Sequence, residues 1–289
     1  MTDEESTPHY GLTDDEIAAR DTVYEDGLCK GKVVLVSGAG SGIGKAIAAL
    51  YARLGAKLVI CGRNEEKLKD AEDFFRGLTD DVSSHVMSIR DPDAVAAMMD
   101  AVWAQYGRLD VLINNAGGQF AQDPIDYSPK GWNAVIDTNL NGTWFMMQSA
   151  ARHWRDHKQP GSIVNITAMI HRTLPGLAHT VAARAAVTYL SKSVAVEWAP
   201  LDIRVNCVAV GSVESTGFGT YTEEGRLSFY QSNPMKRPGT TWDVAEACVY
   251  LTSQSGNFIT GEELGIDGGQ KMWGDMWAAG KPDYFKLEK

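Results

Sequence analysis

The sequence predicts a single α/β domain built on a doubly wound parallel sheet. Three observations support this prediction: residues 33–54 combine an apolar strand, a glycine-rich turn and a helical stretch, further strand and helix patterns alternate after them, and most of these strands are apolar. Strands that are apolar throughout are typical of parallel sheets, because helices cover both faces of such sheets. We therefore expect one sheet between two helical layers.

The strand candidates follow one another in a regular order. They are KVVLVSG, KLVICG, HVMSI, LDVLINNAG, GSIVNIT, IRVNCVAVG and ELGIDGG. Helical stretches separate them, and the helix after HVMSI should open at Asp91, which precedes a proline. Ahead of the first strand, Thr13 is followed by three acidic residues, which is a helix-start signal. A short additional helix is expected there.

Bulk properties limit the classes of function. With 289 residues, 44% of them apolar, the chain can bury one large core, and we expect an extension (residues 1–30), one domain (residues 31–270) and a tail (residues 271–289). The net charge of −10 disfavours nucleic acid as a partner. No apolar run is long enough for a membrane span and the N-terminus is acidic, so we expect a cytoplasmic protein.

Cysteines and histidines give no sign of a metal site. The four cysteines are far apart and form no C-x-x-C motif, so we expect reduced, structural thiols. His153 and His157 have a spacing that could bind a metal on a helix, but no third ligand motif accompanies them. A solvated helix face is the interpretation we adopt.

The glycine-rich turn, SGAGSGIG, carries the first functional signal. Gly38 would permit a tight turn, Gly42 would let the backbone approach a pyrophosphate, and Gly44 would let the helix pack on the strand. The helix that follows offers unpaired N–H groups and a positive dipole end to an anion. The turn therefore predicts dinucleotide binding.

Several motifs occur in order after this turn and together resemble one family. They are NNAG at 114–117, TNLNGT around Asn139, GSIVNI at 161–166, IRVN at 203–206 and DGG at 267–269. With SGAGSGIG they resemble the short-chain dehydrogenases/reductases over residues 31–270. This resemblance implies a Rossmann fold and hydride transfer with a nicotinamide cofactor. We also expect a homo-oligomer, either a dimer or a tetramer.

The glycine-rich turn and the resemblance together identify a set of cofactor-binding residues. These are Ser37, Gly38, Gly40, Ser41, Gly42, Ile43, Gly44, Arg63, Asn64, Asn115, Ala116, Gly117, Arg184, Gly211, Val213 and Ser215. Asn139 would also kink a helix beside the catalytic centre. The match departs from the family at Val210, where a proline is usual, and at Ser88, where many relatives have an aspartate.

The end of the second strand indicates which dinucleotide is bound. Enzymes that prefer NAD usually carry an acidic residue there, which binds the ribose 2′-hydroxyl. This chain has Cys61-Gly62-Arg63, and an arginine can pair with a 2′-phosphate. NADP is therefore favoured over NAD, and the alternative is that Arg63 only caps the loop before Asn64.

The central departure lies at the catalytic positions. Most family members have a Ser and a Tyr-x-x-x-Lys motif, but alignment through AAVTYLSKS puts Thr180 at the Tyr, Arg184 at the Lys, and Thr167 and Ala168 where the Ser belongs. A threonine hydroxyl is far too weak an acid to exchange protons as a phenol does, and arginine stays charged. Tyr189, near a lysine, is an alternative proton donor, although packing is the simpler role for it.

A narrower resemblance accounts for this departure. NNAGGQF at 114–120, the segment at 130–146 and AARAAV at 182–187 resemble the trans-2-enoyl-CoA and 2,4-dienoyl-CoA reductases, in which the Tyr-x-x-x-Lys position is commonly altered. Reducing a conjugated C=C bond requires stabilisation of enolate charge, which a fixed cation and hydroxyl donors can provide. The catalytic candidates are Arg184, Thr180, Asn139 and Thr167, with water or His179 supplying the α-proton.

Two alternative functions remain open from the sequence. One is a dehydrogenase of a hydrophobic alcohol or ketone of the terpenoid or steroid type, because bacterial relatives with NNAGGQF are often assigned to such substrates. The other is a non-catalytic dinucleotide sensor that has lost its chemistry with the tyrosine. The preferred prediction is an NADPH-dependent enoyl-CoA-type reductase of lipid metabolism.

Two aromatic segments near the C-terminus suggest further contacts. The segment from Glu214 to Pro238 is expected to form a lid over an apolar acyl chain, or simply to pack; its aromatic residues are Phe218, Tyr221, Phe229 and Tyr230. The tail carries Trp273 and Trp277, which would suit a subunit interface.

Overall fold

The computed structural model describes residues 10–274 of the chain. Within them the strands are β1 (Val33–Ser37), β2 (Lys57–Gly62), β3 (Val82–Val86), β4 (Val111–Asn114), β5 (Gly161–Ala168), β6 (Ile203–Val210), β7 (Val213–Glu214), β8 (Gly239–Thr240) and β9 (Glu263–Ile266). Seven of them form one parallel sheet in the order β3-β2-β1-β4-β5-β6-β9, and β7 pairs with β8. The doubly wound sheet predicted from the sequence is confirmed.

Helices alternate with these strands as expected. They are α1 (Asp14–Ala19), α2 (Gly42–Arg53), α3 (Glu65–Arg76), α4 (Pro92–Tyr106), α5 (Pro129–Ile136), α6 (Thr143–His157), α7 (Ala178–Trp198), α8 (Glu223–Gln231) and α9 (Thr241–Thr252). The predicted caps are present: Thr13 and Glu16 form a capping box on α1, and the Asp91 side chain accepts from two backbone N–H groups at the start of α4. No helix in residues 10–274 is long and apolar enough to cross a membrane.

The sheet is covered on both faces, as the apolar strands predicted. Alternate side chains of β1 belong to different core layers: Val34 and Val36 pack with α2 and α9, whereas Val33 and Leu35 pack with α4 and α6. The four cysteines are free and buried. Two helical layers therefore hold the sheet rigidly, and the ends of its strands form a fixed edge for a binding site.

The strand order reverses at β1. Val36 pairs with Ile60 of β2 on one side and with Ile113 of β4 on the other, and the crossovers leave β1 in opposite directions. A crevice opens at such a point because the adjacent loops diverge, and ligands of doubly wound sheets bind there. The glycine-rich turn follows β1 and therefore lies at this crevice.

The paired histidines have a structural role. His153 and His157 stack on the ring of Trp103, with centroid distances of 5.3 and 4.2 Å, and His153 pairs with Asp100 at 3.0 Å. No group of three potential ligands that could hold a metal ion occurs in the described part of the chain. These contacts fix α6 against α4 and leave the histidines outside the site.

Candidate active site

A cleft of about 570 Å³ lies at the carboxyl ends of β1, β2 and β4. Eleven of the cofactor-binding residues expected from the sequence line it: Gly38, Gly40, Ser41, Gly42, Ile43, Arg63, Asn64, Asn115, Ala116, Gly117 and Ser215. They come from separate parts of the sequence and meet because parallel strands end at the same edge of the sheet. The cleft occupies the predicted dinucleotide position.

The glycine-rich turn has the geometry that its sequence predicts. Gly38 has a φ of +69°, and a Cβ there would lie 2.9 Å from the Cα of Ala116. Gly42 has a φ of +56° and faces Thr216 Oγ1, which would lie 3.1 Å from an added Cβ. At Gly44 a Cβ would collide with the backbone of Gly38. Each position therefore requires glycine, for a tight turn or for close packing.

Ser37 holds the site together from behind the cleft. Its buried Oγ accepts hydrogen bonds from the backbone N–H groups of Asn115 and Ala116, at 3.1 and 3.0 Å. The Asn115 side chain donates to the carbonyl oxygens of Ser37 and Gly38 at 3.1 and 3.2 Å. These bonds tie the ends of β1 and β4 together, so Ser37 supports residues that line the cleft and does not line it itself.

Basic side chains surround the end of the cleft nearest β2. Arg63, Lys67 and Arg90 line it, and its lining includes no carboxylate among the described residues. Arg90 is already engaged, because its Nη2 donates to the Ala134 carbonyl at 2.8 Å and its Nε donates to Thr138. Arg63 is exposed. Lys67 and Arg90 were not predicted from the sequence, although Lys67 lies in the first turn of α3, four residues after Arg63.

Asn139 lies in a π-helical segment, Asp137–Gly142, between α5 and α6, which confirms the helix distortion expected there. Its Oδ1 accepts from the Gly118 N–H, and its Nδ2 donates to the Gly118 carbonyl, both at 3.0 Å. The same Nδ2 donates to Thr180 Oγ1 at 3.3 Å. Asn139 is only 1% exposed, so it fixes the loop after β4 against α7.

Thr180 and Arg184 lie one helical turn apart on α7, behind Gly117 and Gly118. Arg184 Nη1 donates to the Ile166 carbonyl at 2.9 Å, and its Nη2 would contact a Cβ added to Gly117. Burial lowers the pKa of Arg184 to about 10, because the charged form loses hydration. At neutral pH the guanidinium is still charged, and it places that charge beside a residue that lines the cleft.

Thr180 presents a hydroxyl to the same region. Its Oγ1 accepts from Asn139, which leaves the hydroxyl hydrogen available for donation. The side chain is 1% exposed and is therefore held in one position. Thr180, Arg184 and Asn139 are thus brought together as the sequence suggested.

Three predicted residues do not join this group. Thr167 is turned towards β6, where its Oγ1 donates to the Val208 carbonyl at 3.4 Å. Gly211 packs against Asp267, whose Cα would lie 2.7 Å from an added Cβ, and Val213 pairs with Gly239 in the small sheet. None of the three lines the cleft. Thr180, Arg184, Asn139 and Gly44 do not line it either and lie directly behind its wall.

The two alternative proton donors are also placed by the structure. Tyr189 is 72% exposed and nine positions beyond Thr180, on the opposite face of α7. Its ring contacts Lys192, whose Nζ lies 5.0 Å from the ring centre, and it faces away from the site. His179 is fully buried; its Nδ1 accepts from the Thr180 N–H at 2.7 Å, its ring stacks on Tyr127, and burial lowers its pKa.

The segment from Glu214 to Pro238 is held in place by aromatic contacts. The Phe229 ring lies 4.8 Å from Phe218 and 5.2 Å from Tyr221, and the Tyr221 hydroxyl accepts from the Gln119 side chain at 3.0 Å. This bond bridges the segment to the loop after β4. The segment therefore lies next to the site, which is compatible with a lid. Its aromatic residues also pack against one another, which was the alternative expectation.

The expected aromatic interface of the tail is only partly described. Tyr230 is 42% exposed, and the Trp273 indole donates to the Gln231 carbonyl at 3.0 Å. Trp277 lies outside the described residues. Trp273 thus contacts the end of α8 within its own chain.

Comparison with known proteins agrees with this geometry. Residues 38–271 match the family model described as enoyl-(acyl carrier protein) reductase. A probable 2,4-dienoyl-CoA reductase of Bacillus subtilis is 37% identical over 244 residues, which cover 83% of this chain and 96% of that protein. The 3-oxoacyl-acyl-carrier-protein reductase FabG of Thermotoga maritima is 34% identical over 241 residues, or 83% and 98% of the two chains.

A solved structure shares the fold. The citronellol catabolism dehydrogenase of Pseudomonas aeruginosa superimposes with a TM-score of 0.77 at 33% identity, and the match covers 87% of this chain and 99% of that one. These proteins are oxidoreductases with different substrates in their names, so the comparisons identify a family and a cofactor class but no substrate. The chain belongs to the short-chain dehydrogenase/reductase family, whose members use an NAD(P) dinucleotide.

Proposed function

We propose that the protein is an NADPH-dependent reductase of the C=C bond in an α,β-unsaturated acyl thioester. The observation that carries this proposal is the arrangement of Thr180 and Arg184: a hydroxyl held by Asn139 and a charged guanidinium beside Gly117 occupy the positions of the family's usual tyrosine and lysine. This pair can stabilise negative charge, but neither group readily gives up a proton near neutral pH.

The residues present fit a nicotinamide dinucleotide. In the glycine-rich turn, Gly38, Gly40, Ser41 and Gly42 line the cleft where a pyrophosphate would bind. Asn115 to Gly117 continue its wall towards the catalytic residues. When bound, the dinucleotide supplies the hydride. The protein provides the binding and the electrostatic environment.

Arg184 provides the largest electrostatic contribution in this proposal. As hydride reaches the β-carbon of the substrate, the thioester oxygen develops enolate charge. A fixed cation in a region of low dielectric constant stabilises such charge strongly because it need not reorganise. Arg184 is held by the Ile166 carbonyl, so its orientation is set before the substrate binds.

Thr180 is a hydrogen-bond donor to the same oxygen in this proposal, and water protonates the α-carbon. His179 is the less suitable proton source, since its ring is enclosed and its Nδ1 is occupied by the Thr180 N–H. Gly118 makes two hydrogen bonds with the Asn139 side chain, and the same side chain donates to Thr180. These bonds fix the position of the Thr180 hydroxyl relative to the loop after β4.

NADPH is preferred in this proposal because of the charge at the β2 end of the cleft. Arg63 precedes α3, Lys67 lies in its first turn, and both line the cleft; the described lining holds no carboxylate to bind a ribose 2′-hydroxyl or repel a 2′-phosphate. A guanidinium can bind a phosphate through two hydrogen bonds. The relatives' names do not state a cofactor, so the preference rests on these residues.

A substrate panel tests the proposal. NADPH oxidation is followed with trans-2-enoyl-CoA and 2,4-dienoyl-CoA thioesters, 3-oxoacyl thioesters and citronellal, and product analysis shows which bond is reduced. We expect consumption with the unsaturated thioesters and a saturated or less unsaturated product. Carbonyl reduction with no C=C reduction at any chain length would overturn the proposal.

A second candidate is a dehydrogenase of a hydrophobic alcohol or ketone. The likeness to the citronellol catabolism dehydrogenase favours it, and the aromatic residues next to the cleft are compatible with it. The same panel separates the two candidates. Tight dinucleotide binding without turnover on any substrate would instead favour a dinucleotide sensor.

We also propose that the protein is a homo-oligomer. Tyr189 and Val196 are 72% and 76% exposed on α7 in the single chain, and their seven-residue spacing puts them on one face of the helix, which an interface would cover. Light scattering after size exclusion measures the mass, and a monomer at micromolar concentration would contradict this expectation.

A further inference from the structure

The N-terminal segment, residues 10–19, contacts both sides of the dinucleotide cleft. Its helix α1 lies along α2, the helix that begins at the glycine-rich turn: Asp14 pairs with Lys45 at 2.7 Å, and Arg53 Nη1 donates to the Ile17 carbonyl at 3.1 Å. Ile17 is buried in the core. This end of the segment is therefore fixed to the glycine-rich side of the cleft.

The other end of the segment contacts the chain after β7. The Tyr10 ring lies 5.8 Å from the Phe218 ring, and the Arg226 guanidinium lies 5.1 Å from the centre of the Tyr10 ring. Gly11 donates its N–H to Glu214 at 3.4 Å. The segment thus connects two parts of the protein that are distant in sequence and that face each other across the cleft.

Gly11 is the point of closest approach. It has a φ of +87°, and a Cβ there would lie 3.0 Å from the Cα of Ser215. Ser215 and Thr216 in turn line the cleft, and Thr216 Oγ1 faces Gly42 on the opposite wall. A displacement at Gly11 would therefore pass directly to the wall that faces the glycine-rich turn.

A second cavity shows that the segment bounds the same end of the cleft. This cavity, of about 320 Å³, lies between residues 10–14 and the glycine-rich turn. It shares five lining residues with the dinucleotide cleft, namely Gly40, Ser41, Gly42, Ser215 and Thr216. The two spaces are adjacent, and residues 10–14 form the outer wall.

We propose that residues 10–14 are a clamp that positions Ser215 and Thr216 against the glycine-rich turn and thereby sets the affinity for the dinucleotide. The clamp acts on the pyrophosphate part of the cleft, away from Arg63. Its effect should therefore be the same for NADPH and NADH. Because dinucleotide binding is measured without substrate, the test does not depend on the proposed C=C reduction.

Two glycine variants form a matched pair for the test. Gly11→Ala and Gly27→Ala both place alanine at a positive φ, +87° and +78°, but an added Cβ at Gly27 meets nothing within 4 Å. The backbone strain is therefore similar in the two variants, but only Gly11→Ala places a Cβ against Ser215, in the wall of the cleft. The dissociation constants of NADPH and NADH are measured by calorimetry, and Tm is measured for both variants.

We expect Gly11→Ala to raise both dissociation constants about tenfold and Gly27→Ala to leave them within about twofold of the parent values. Equal dissociation constants in the two variants, with a similar fall in Tm, would show that the segment is only packing and would overturn the proposal.

A second variant covers the case in which Gly11→Ala does not fold. Tyr10→Leu removes the ring contacts with Phe218 and Arg226 and leaves the backbone unstrained, and we expect both dissociation constants to rise about threefold. Unchanged binding of both dinucleotides by Tyr10→Leu would contradict the clamp. Weaker binding of NADPH alone would also contradict it, because that result would assign the effect to the 2′-phosphate end.

Discussion

The glycine-rich turn and helix α7 show how differently a sequence encodes binding and chemistry. At the glycine-rich turn the requirements come from the backbone: Gly38 and Gly42 need positive φ values, and Gly44 needs room for the backbone of Gly38. At α7 the requirements come from side chains, since Thr180 and Arg184 stand where the family usually has tyrosine and lysine. Binding geometry is retained while the chemical groups differ, so fold and cofactor class alone do not fix the reaction.

The largest effect is expected from Arg184→Met. Loss of the guanidinium removes the positive charge beside Gly117, and we expect turnover to fall about 100-fold or more. Dinucleotide binding, measured by calorimetry, should weaken much less. The matched control is Arg204→Met, because Arg204 is another partly buried arginine, bonded to the Leu251 and Ile259 carbonyls away from the site.

A similar loss of turnover in both arginine variants would mean that the decrease comes from removing any buried guanidinium. Arg184 would then have no specific role in the chemistry. Arg184→Lys separates the effect of the charge from that of the guanidinium geometry. A lysine keeps the charge but lacks the planar fork that reaches both the Ile166 carbonyl and the space beside Gly117.

A smaller effect, at the opposite end of the cleft, is expected from Arg63→Ala. Loss of a charge-assisted pair with a 2′-phosphate should weaken NADPH binding by about 1.5 to 3 kcal/mol and leave NADH nearly unchanged. Calorimetry with both dinucleotides measures the difference. Lys69→Ala, an exposed change on α3 outside the lining of the cleft, is the control; equal losses for NADPH and NADH in Arg63→Ala would show that Arg63 only shapes the loop.

Thr180→Val should reduce turnover by less than about tenfold, because one neutral hydrogen bond contributes less than a fixed charge. Steady-state kinetics with the best substrate of the panel measure this loss. Thr188→Val is the control, since Thr188 is a buried threonine on the same helix whose hydroxyl donates to Glu263 instead. A loss as large as that of Arg184→Met would make Thr180 the principal catalytic group.

The double change Thr180→Tyr with Arg184→Lys rebuilds the pair that the family usually has. An enzyme specialised for C=C bonds should lose activity, because the phenol enters the space beside Gly118. Gain of ketone reduction, measured with the 3-oxoacyl thioesters, would indicate a carbonyl reductase instead.

The smallest expected effect is the pH dependence of turnover. Arg184, with its pKa at about 10, remains protonated below that pH, and Thr180 does not titrate, so turnover should be flat between about pH 7 and 9 and should fall as the pH rises through 10. Burial lowers the pKa of His179, so that imidazole stays neutral throughout this range. A marked inflection between pH 7 and 9 in the profile of kcat would point to another proton donor.

The order of strands and helices, the glycine-rich turn and most of the cleft lining could be predicted from the sequence. These features follow from local rules: apolar strands, helix caps such as Thr13 and Asp91, and glycines at positive φ are each set by residues close together in the chain. The distortion at Asn139 was also predicted, through its family motif.

Which side chains meet depends on tertiary packing. Thr167 is turned away to Val208, Lys67 and Arg90 enter the cleft, and residues 10–14 reach across it to Ser215. Local patterns cannot specify such contacts, because the direction of a side chain depends on strand register and on helices that pack from distant parts of the chain. Local sequence was sufficient for the fold and the dinucleotide class, since both depend on backbone geometry, whereas the packing of distant segments set the positions of the charged and hydroxyl groups in and behind the wall of the cleft.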